Sequence, residues 1–177
     1  MEQAQITETG FTIRLVTMRS KKSFAEVTGE IERLFQPYDL DTLSTLAAAG
    51  DAEEFTAYAE QVDGQSGFGM FFQLDMGSLM RPGGIAVESK LYLIGSVLTG
   101  QGLFGYSGVA GLGAPVRFCV SQRDGEDTRI DIDRPTSFHS QFPELNASAV
   151  PAEKDARMLP LLATAAGITW PESGESH

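Results

Sequence analysis

Only one cysteine, Cys119, occurs among the 177 residues, so no disulfide can form within the chain. Histidine is almost as scarce, with His139 and His177 the two present. Two histidines and one cysteine cannot complete the common tetrahedral zinc sets, and no EF-hand spacing offers a calcium loop. No metal is expected. Basic residues number 13 against 24 acidic ones, a formal charge of −11. A polyanion must be met by clustered Lys and Arg, and the one cluster here is Arg19, Lys21 and Lys22. Nucleic acid and anionic membrane are therefore unsuitable partners. There is no apolar run of about 18 residues, so no segment reads as a membrane span. The first ten residues, MEQAQITETG, lack the basic-then-apolar layout of a secretory leader. Together with the single cysteine, this points to a cytoplasmic protein.

What the chain does contain suits a folded body. Hydrophobic residues make up 42% and charged ones 21%, ordinary values for a globular domain. A chain of this length buries roughly 70% of its unfolded surface without needing covalent staples. The expected organisation is a flexible lead-in over 1–10, a single α+β domain over 11–166, and a frayed acidic tail over 167–177.

Phe11, Ile13 and Leu15 alternate with their neighbours, which predicts a half-buried strand. Ser23 followed by Glu26 forms a capping box. Behind it, Phe24, Val27, Ile31, Leu34 and Phe35 share one helical face, and Pro37 ends the helix. Residues 38–62 read as one or two short helices, with Asp51 and Glu54 repeating the capping logic. Gly67 to Asp75 and Leu91 to Ile94 read as strands. PVRFCVS (115–121) and TRIDID (128–133) alternate around Asp124-Gly125 and predict an antiparallel hairpin. Within the first of these, Cys119 is in phase with Arg117 and Ser121, opposite Val116, Phe118 and Val120. Residues 135–150 read as a long polar connection. A final helix begins at Pro151, with a kink or break expected at Pro160.

The stretch 97–113 holds six glycines. As a helix it needs close packing to offset about 1 kcal/mol per glycine relative to alanine; as a loop it lies at a strand end, where sites form. Its Gly100-Gln101-Gly102-Leu103-Phe104-Gly105 matches the G-x-G-x-x-G pattern. However, a hairpin follows rather than a second βαβ unit, so a dinucleotide site is disfavoured. No cofactor is expected.

Two residues are candidates for acid–base chemistry. His139 has the side chain that titrates nearest neutral pH; the plainer reading is a packing or surface histidine. Asp75 ends an aromatic strand, where apolar neighbours could raise its pKa; the plainer reading is a cap for the next turn. Cys119 could line a pocket, or be an inert strand cysteine. His177 reads as a tail residue.

Taken in order, these segments resemble the domain-of-unknown-function 302 family of small bacterial α/β proteins. The resemblance runs over about residues 11–165. It rests on RLVTMRSKKSFAEVTGEIERLF, the acid-ended strand FFQLD, the apolar strand LYLIGS, the segment 97–112, then APVRFCVS, DGED and IDIDRP. Where that family has an F-G-N-P turn, this chain has Ile94-Gly95-Ser96-Val97. The resemblance implies a sheet with helices on one side and often a homodimer. It implies no settled activity.

The fold expected is thus α+β, a two-layer sandwich with a mixed, mostly antiparallel sheet and helices on one face. The segment 97–113 and the loops at 75–90 and 134–150 should enclose an apolar site. Phe71, Phe72, Tyr92, Phe104, Tyr106, Cys119 and Phe138 are its candidate lining. Three functions remain open: binding of a small apolar or aromatic molecule without a cofactor; cofactor-independent catalysis by Asp75 or His139; and a homodimeric interaction role.

Overall fold

The structure, a computed structural model, describes residues 6–171. Most of the expected acidic tail, His177 included, lies outside the described residues.

The chain opens with β1 (Leu15–Ser20) and α1 (Phe24–Leu34), followed by α2 (Leu40–Ala49) and α3 (Ala52–Asp63). Then come β2 (Gly69–Asp75), α4 (Met76–Met80), β3 (Glu88–Gly95) and α5 (Val97–Phe104). A 3-10 segment over Gly108–Leu112 leads into the hairpin of β4 (Val116–Gln122) and β5 (Thr128–Asp133). The chain closes with α6 (Pro135–His139) and α7 (Val150–Ala165). The strands pair in the order β1-β5-β4-β3-β2, every pair antiparallel. The one parallel pairing among the described residues is an isolated bridge between Pro37 and Met70.

The period of two in the strands decides which face is covered. Met18, Ile130, Ile132, Val116, Phe118, Val120, Tyr92, Ile94 and Met70 point to one side and are buried. Against them lie Val27, Ile31 and Phe35 from the α1 segment and Met158, Leu159, Leu162 and Ala163 of α7. Each fully buried side chain of this size contributes roughly 1.5–3 kcal/mol. The opposite face is not covered by helices: it carries Arg117, Cys119, Ser121, Arg129, Asp131 and Asp133. On that face Asp131 accepts from Thr17 Oγ1 and from Arg129.

Local chemistry explains the ends of the elements. The Ser23–Glu26 capping box starts α1, both halves being made. Asp39 and Asp51 cap α2 and α3 through their side chains.

Three expectations need correction. The first strand lies four residues further on than predicted, over Leu15–Ser20, and its other phase faces inward. Leu15 is 61% exposed while Met18 and Ser20 are buried, because register with β5 sets Met18 opposite Ile130. The connection after β5 is not simply polar: it holds α6 and a 3-10 turn at Pro143–Leu145. Phe142 and Leu145 there form a second core with Leu103, Ala110 and Val150. Finally, of the kink or break expected at Pro160, the break does not occur: α7 continues through that residue. The buried Leu159, Leu162 and Ala163 around it hold the helix on the sheet, and Thr164 Oγ1 donates to the Pro160 carbonyl.

Candidate functional site

The glycine-rich segment is helical. Ser96 caps α5 by accepting from Thr99 N–H. Close packing does offset the helix penalty: a Cβ on Gly102 would come within 3.1 Å of Val150 Cγ2, so α5 meets α7 through a missing side chain. The G-x-G-x-x-G match thus falls within and just beyond the helix rather than at the strand–helix turn, where it would meet a pyrophosphate.

After α5 the chain passes through Gly113-Ala114-Pro115 into β4, and this short passage separates two hollows. The first, about 300 Å³, is lined by Phe71, Val97, Gly100, Phe104, Pro115 and Lys154 among others. Phe71 reaches it because a bulge between Met70 and Phe72 interrupts the β2–β3 register. The Tyr38 ring, 4.8 Å away between centroids, props it. Lys154 is on α7, on the stripe Val150, Lys154, Met158, Leu162 that faces the core. It is 2% exposed. Among the described residues no carboxylate or hydrogen-bond acceptor pairs with its ammonium, and burial alone pushes its pKa down to about 8.

The second hollow, about 340 Å³, is lined by Leu93, Leu112, Pro115, Arg117, Phe138 and His139 among others. His139 is 3% exposed. Its Nδ1 lies 2.8 Å from the Pro135 carbonyl; that contact places the proton on Nδ1 and leaves Nε2 as the basic nitrogen. Nε2 is buried and has no partner. Burial lowers the imidazole pKa more than the hydrogen bond to the Pro135 carbonyl raises it, and the Lys154 charge lowers it further. The neutral, accepting form is therefore the resident one. A Cβ on Gly113 would lie 2.6 Å from the Phe138 ring and 2.9 Å from His139 Nε2, so only glycine lets the passage run against these rings.

One clamp holds this region. The Asp155 carboxylate accepts from Thr136 N–H and Oγ1, and pairs with Arg134 at 3.2 Å. It ties the start of α6 to α7, one residue beyond Lys154.

Of the lining residues expected from sequence, Phe71 and Phe104 meet at the first hollow and Phe138 and His139 at the second. The others lie elsewhere. Tyr92 is in the main core, stacked on Phe118 with its hydroxyl donating to Glu32, because β3 register turns it toward the helices. Cys119 lies on the sheet face without helices, its Sγ 3.5 Å from Ser89 Oγ. Phe72 is exposed on the same face. Tyr106 is exposed in the turn after α5, its hydroxyl 3.5 Å from the Ala147 carbonyl. Asp75 is exposed and caps α4, accepting from Ser78 N–H and Oγ; those bonds hold its pKa below the usual carboxylate value rather than above it. It borders neither hollow. Lys154 was missed by reading types alone; the signal was a lone charge at four-residue spacing on an apolar helix stripe.

A wider groove of about 660 Å³ runs between the loop at 84–88 and the β4–β5 turn. Of its charged walls Arg81 pairs with Glu88 at 3.4 Å, and no buried side-chain polar atom in it lacks a partner. The smaller hollows are the better site because each contains an unpaired polar group. No group of three or more potential metal ligands occurs among the described residues, and no described helix is long and apolar enough to cross a membrane.

No family profile matches the chain, and no curated protein does. A solved structure does: that of an uncharacterized conserved DUF302 protein from Bacillus stearothermophilus, at 14% identity. The alignment covers 86% of this chain and 95% of that one, with a TM-score of 0.59. At such identity the likeness speaks for architecture alone. The antiparallel sheet with helices on one face is accordingly the fold of that DUF302 protein.

Proposed function

We propose that this protein binds a small, largely apolar molecule that presents one oxygen acceptor, a carbonyl or a carboxylate, to Lys154. One observation carries the reading: a buried amine without a counter-charge faces an aromatic-walled hollow. A buried cation with no partner is unfavourable, and a ligand oxygen would supply what the protein does not. A volume of about 300 Å³ is at the small end of ligand sites, which restricts the occupant to one ring or a short chain. Native mass spectrometry against a panel of small aromatic and aliphatic acids, aldehydes and ketones tests it. Gly100→Leu should abolish binding, since a side chain there meets nothing of the protein within 4 Å and points into free space. Absence of any complex at millimolar ligand overturns the reading.

A second reading, cofactor-independent proton transfer, draws on the unpartnered Nε2 of His139 in the other hollow. It needs the Nδ1–H tautomer. Nitrogen chemical shifts showing the proton on Nε2 would remove it. A homodimer built on the exposed Phe104, Tyr106 and Leu112 would be ruled out by sedimentation that finds only monomer at micromolar concentration.

A further inference from the structure

We infer that Lys154 is a nucleophilic amine that forms a reversible imine with an aldehyde or ketone held between Phe71 and Phe104. This rests on the binding reading above and goes a step beyond it, from contact to bond. An amine is nucleophilic only when unprotonated, and enzymes obtain such lysines by desolvation in an apolar pocket. Lys154 meets that condition through its surroundings. Phe71, Val97, Phe104 and Pro115 wall the hollow, no carboxylate stabilises the cation, and α7 fixes the backbone from which the side chain extends.

With its pKa near 8, roughly a quarter of the amine is neutral at pH 7.5, against about one part in a thousand for an ordinary lysine. The chemistry needs no further reagent. The nitrogen lone pair adds to the carbonyl carbon, the C=O π pair moves to oxygen, and a proton passes from nitrogen to that oxygen through water. The carbinolamine then loses its hydroxyl as water and becomes the imine. The sum is amine plus carbonyl giving imine plus water. A carboxylate occupying the same hollow would pair with the ammonium and stop there, so the two ligand classes part in what they leave behind.

The test is reductive trapping on the full chain. Benzaldehyde is added with sodium cyanoborohydride at pH 7.5, and benzylated lysines are mapped by peptide mass. The chain has four lysines: Lys21, Lys22, Lys90 and Lys154. The expected result is labelling of Lys154 at least tenfold faster than of any other, despite its burial. Lys154→Arg should lose that adduct. Gly100→Leu, which keeps the amine and fills the hollow, should slow it at least tenfold with an unchanged circular dichroism spectrum. Labelling that follows exposure, with Lys21 leading and Lys154 silent, overturns the inference. Benzoate binding measured alongside separates the two readings. If benzoate is held and benzaldehyde is not trapped, the bond falls and the binding stands; if neither is held, both fall.

Discussion

Lys154 sits inside the fold at a free-energy penalty, and pH exposes it. The group titrates at 10.5 when unfolded and at about 8 when folded. Between those values the unfolded chain holds the extra proton, so stability rises with pH across that window. Below about 8 the penalty is fully present, on the order of 3 kcal/mol. Lys154→Met should therefore stabilise the protein at pH 7 by about 1–3 kcal/mol, and its advantage should shrink as pH climbs toward 10. Urea unfolding of both proteins at several pH values measures this. A methionine variant less stable than the parent at pH 7 would mean that the amine has a partner after all. Gly113 gives the opposite kind of prediction. Alanine there would place a methyl 2.6 Å from the Phe138 ring. Overpacking of this sort destabilises by about 1–3 kcal/mol, readable as a lower urea midpoint with an unchanged slope.

The elements differ in how far their sequence declares them. The α1 segment is consistent at every level: a complete capping box, an apolar stripe, a proline stop. Ser23→Ala should cost about 1 kcal/mol by thermal unfolding, since it removes the side-chain half of the box while the backbone N–H of residue 23 still donates to the Glu26 carboxylate. The α5 segment argues against itself, because glycine lowers helix propensity and only packing repays it. That packing was invisible in the sequence, since Gly102 meets Val150, 48 positions further along the chain. Gly100 lacks this justification, nothing of the protein lying within 4 Å of the site of its Cβ. Gly100→Ala should raise stability by about 0.5–1 kcal/mol in the same unfolding experiment. The alternating strands were legible because period two maps directly onto the two faces of a sheet, and Arg117, Cys119 and Ser121 do lie together opposite Phe118. The first strand was misplaced because Phe11, Ile13 and Leu15 alternate as well as Val16 and Met18 do. Only pairing with β5 chooses between the phases.

At the scale of the molecule, β4 is the middle of five strands, flanked on both edges by partners and covered by α1 and α7. Amides of Phe118 and Val120 should exchange with deuterium only through global unfolding, whereas those of residues 6–13, outside any element, should exchange within minutes. Comparable protection in the two regions would contradict the layered architecture. The candidate site shows the limit of reading by residue type. His139, Phe71, Phe104 and Phe138 were legible as chemistry-bearing residues in the right segments. Tyr92 was equally aromatic and is core, and nothing in its type distinguishes it. Lys154 carries no mark of a site in its type, and only the three-dimensional wall around it sets it apart.

The Asp155 clamp has a consequence for how the two hollows relate. The imidazole is carried by a helix of five residues, too short to hold its own position. Its anchor at the amino end is a carboxylate next along the chain from the buried amine. The two chemical groups are therefore mounted on one bracket. Replacing Asp155 by alanine would not disturb one hollow and spare the other; it would blur both together.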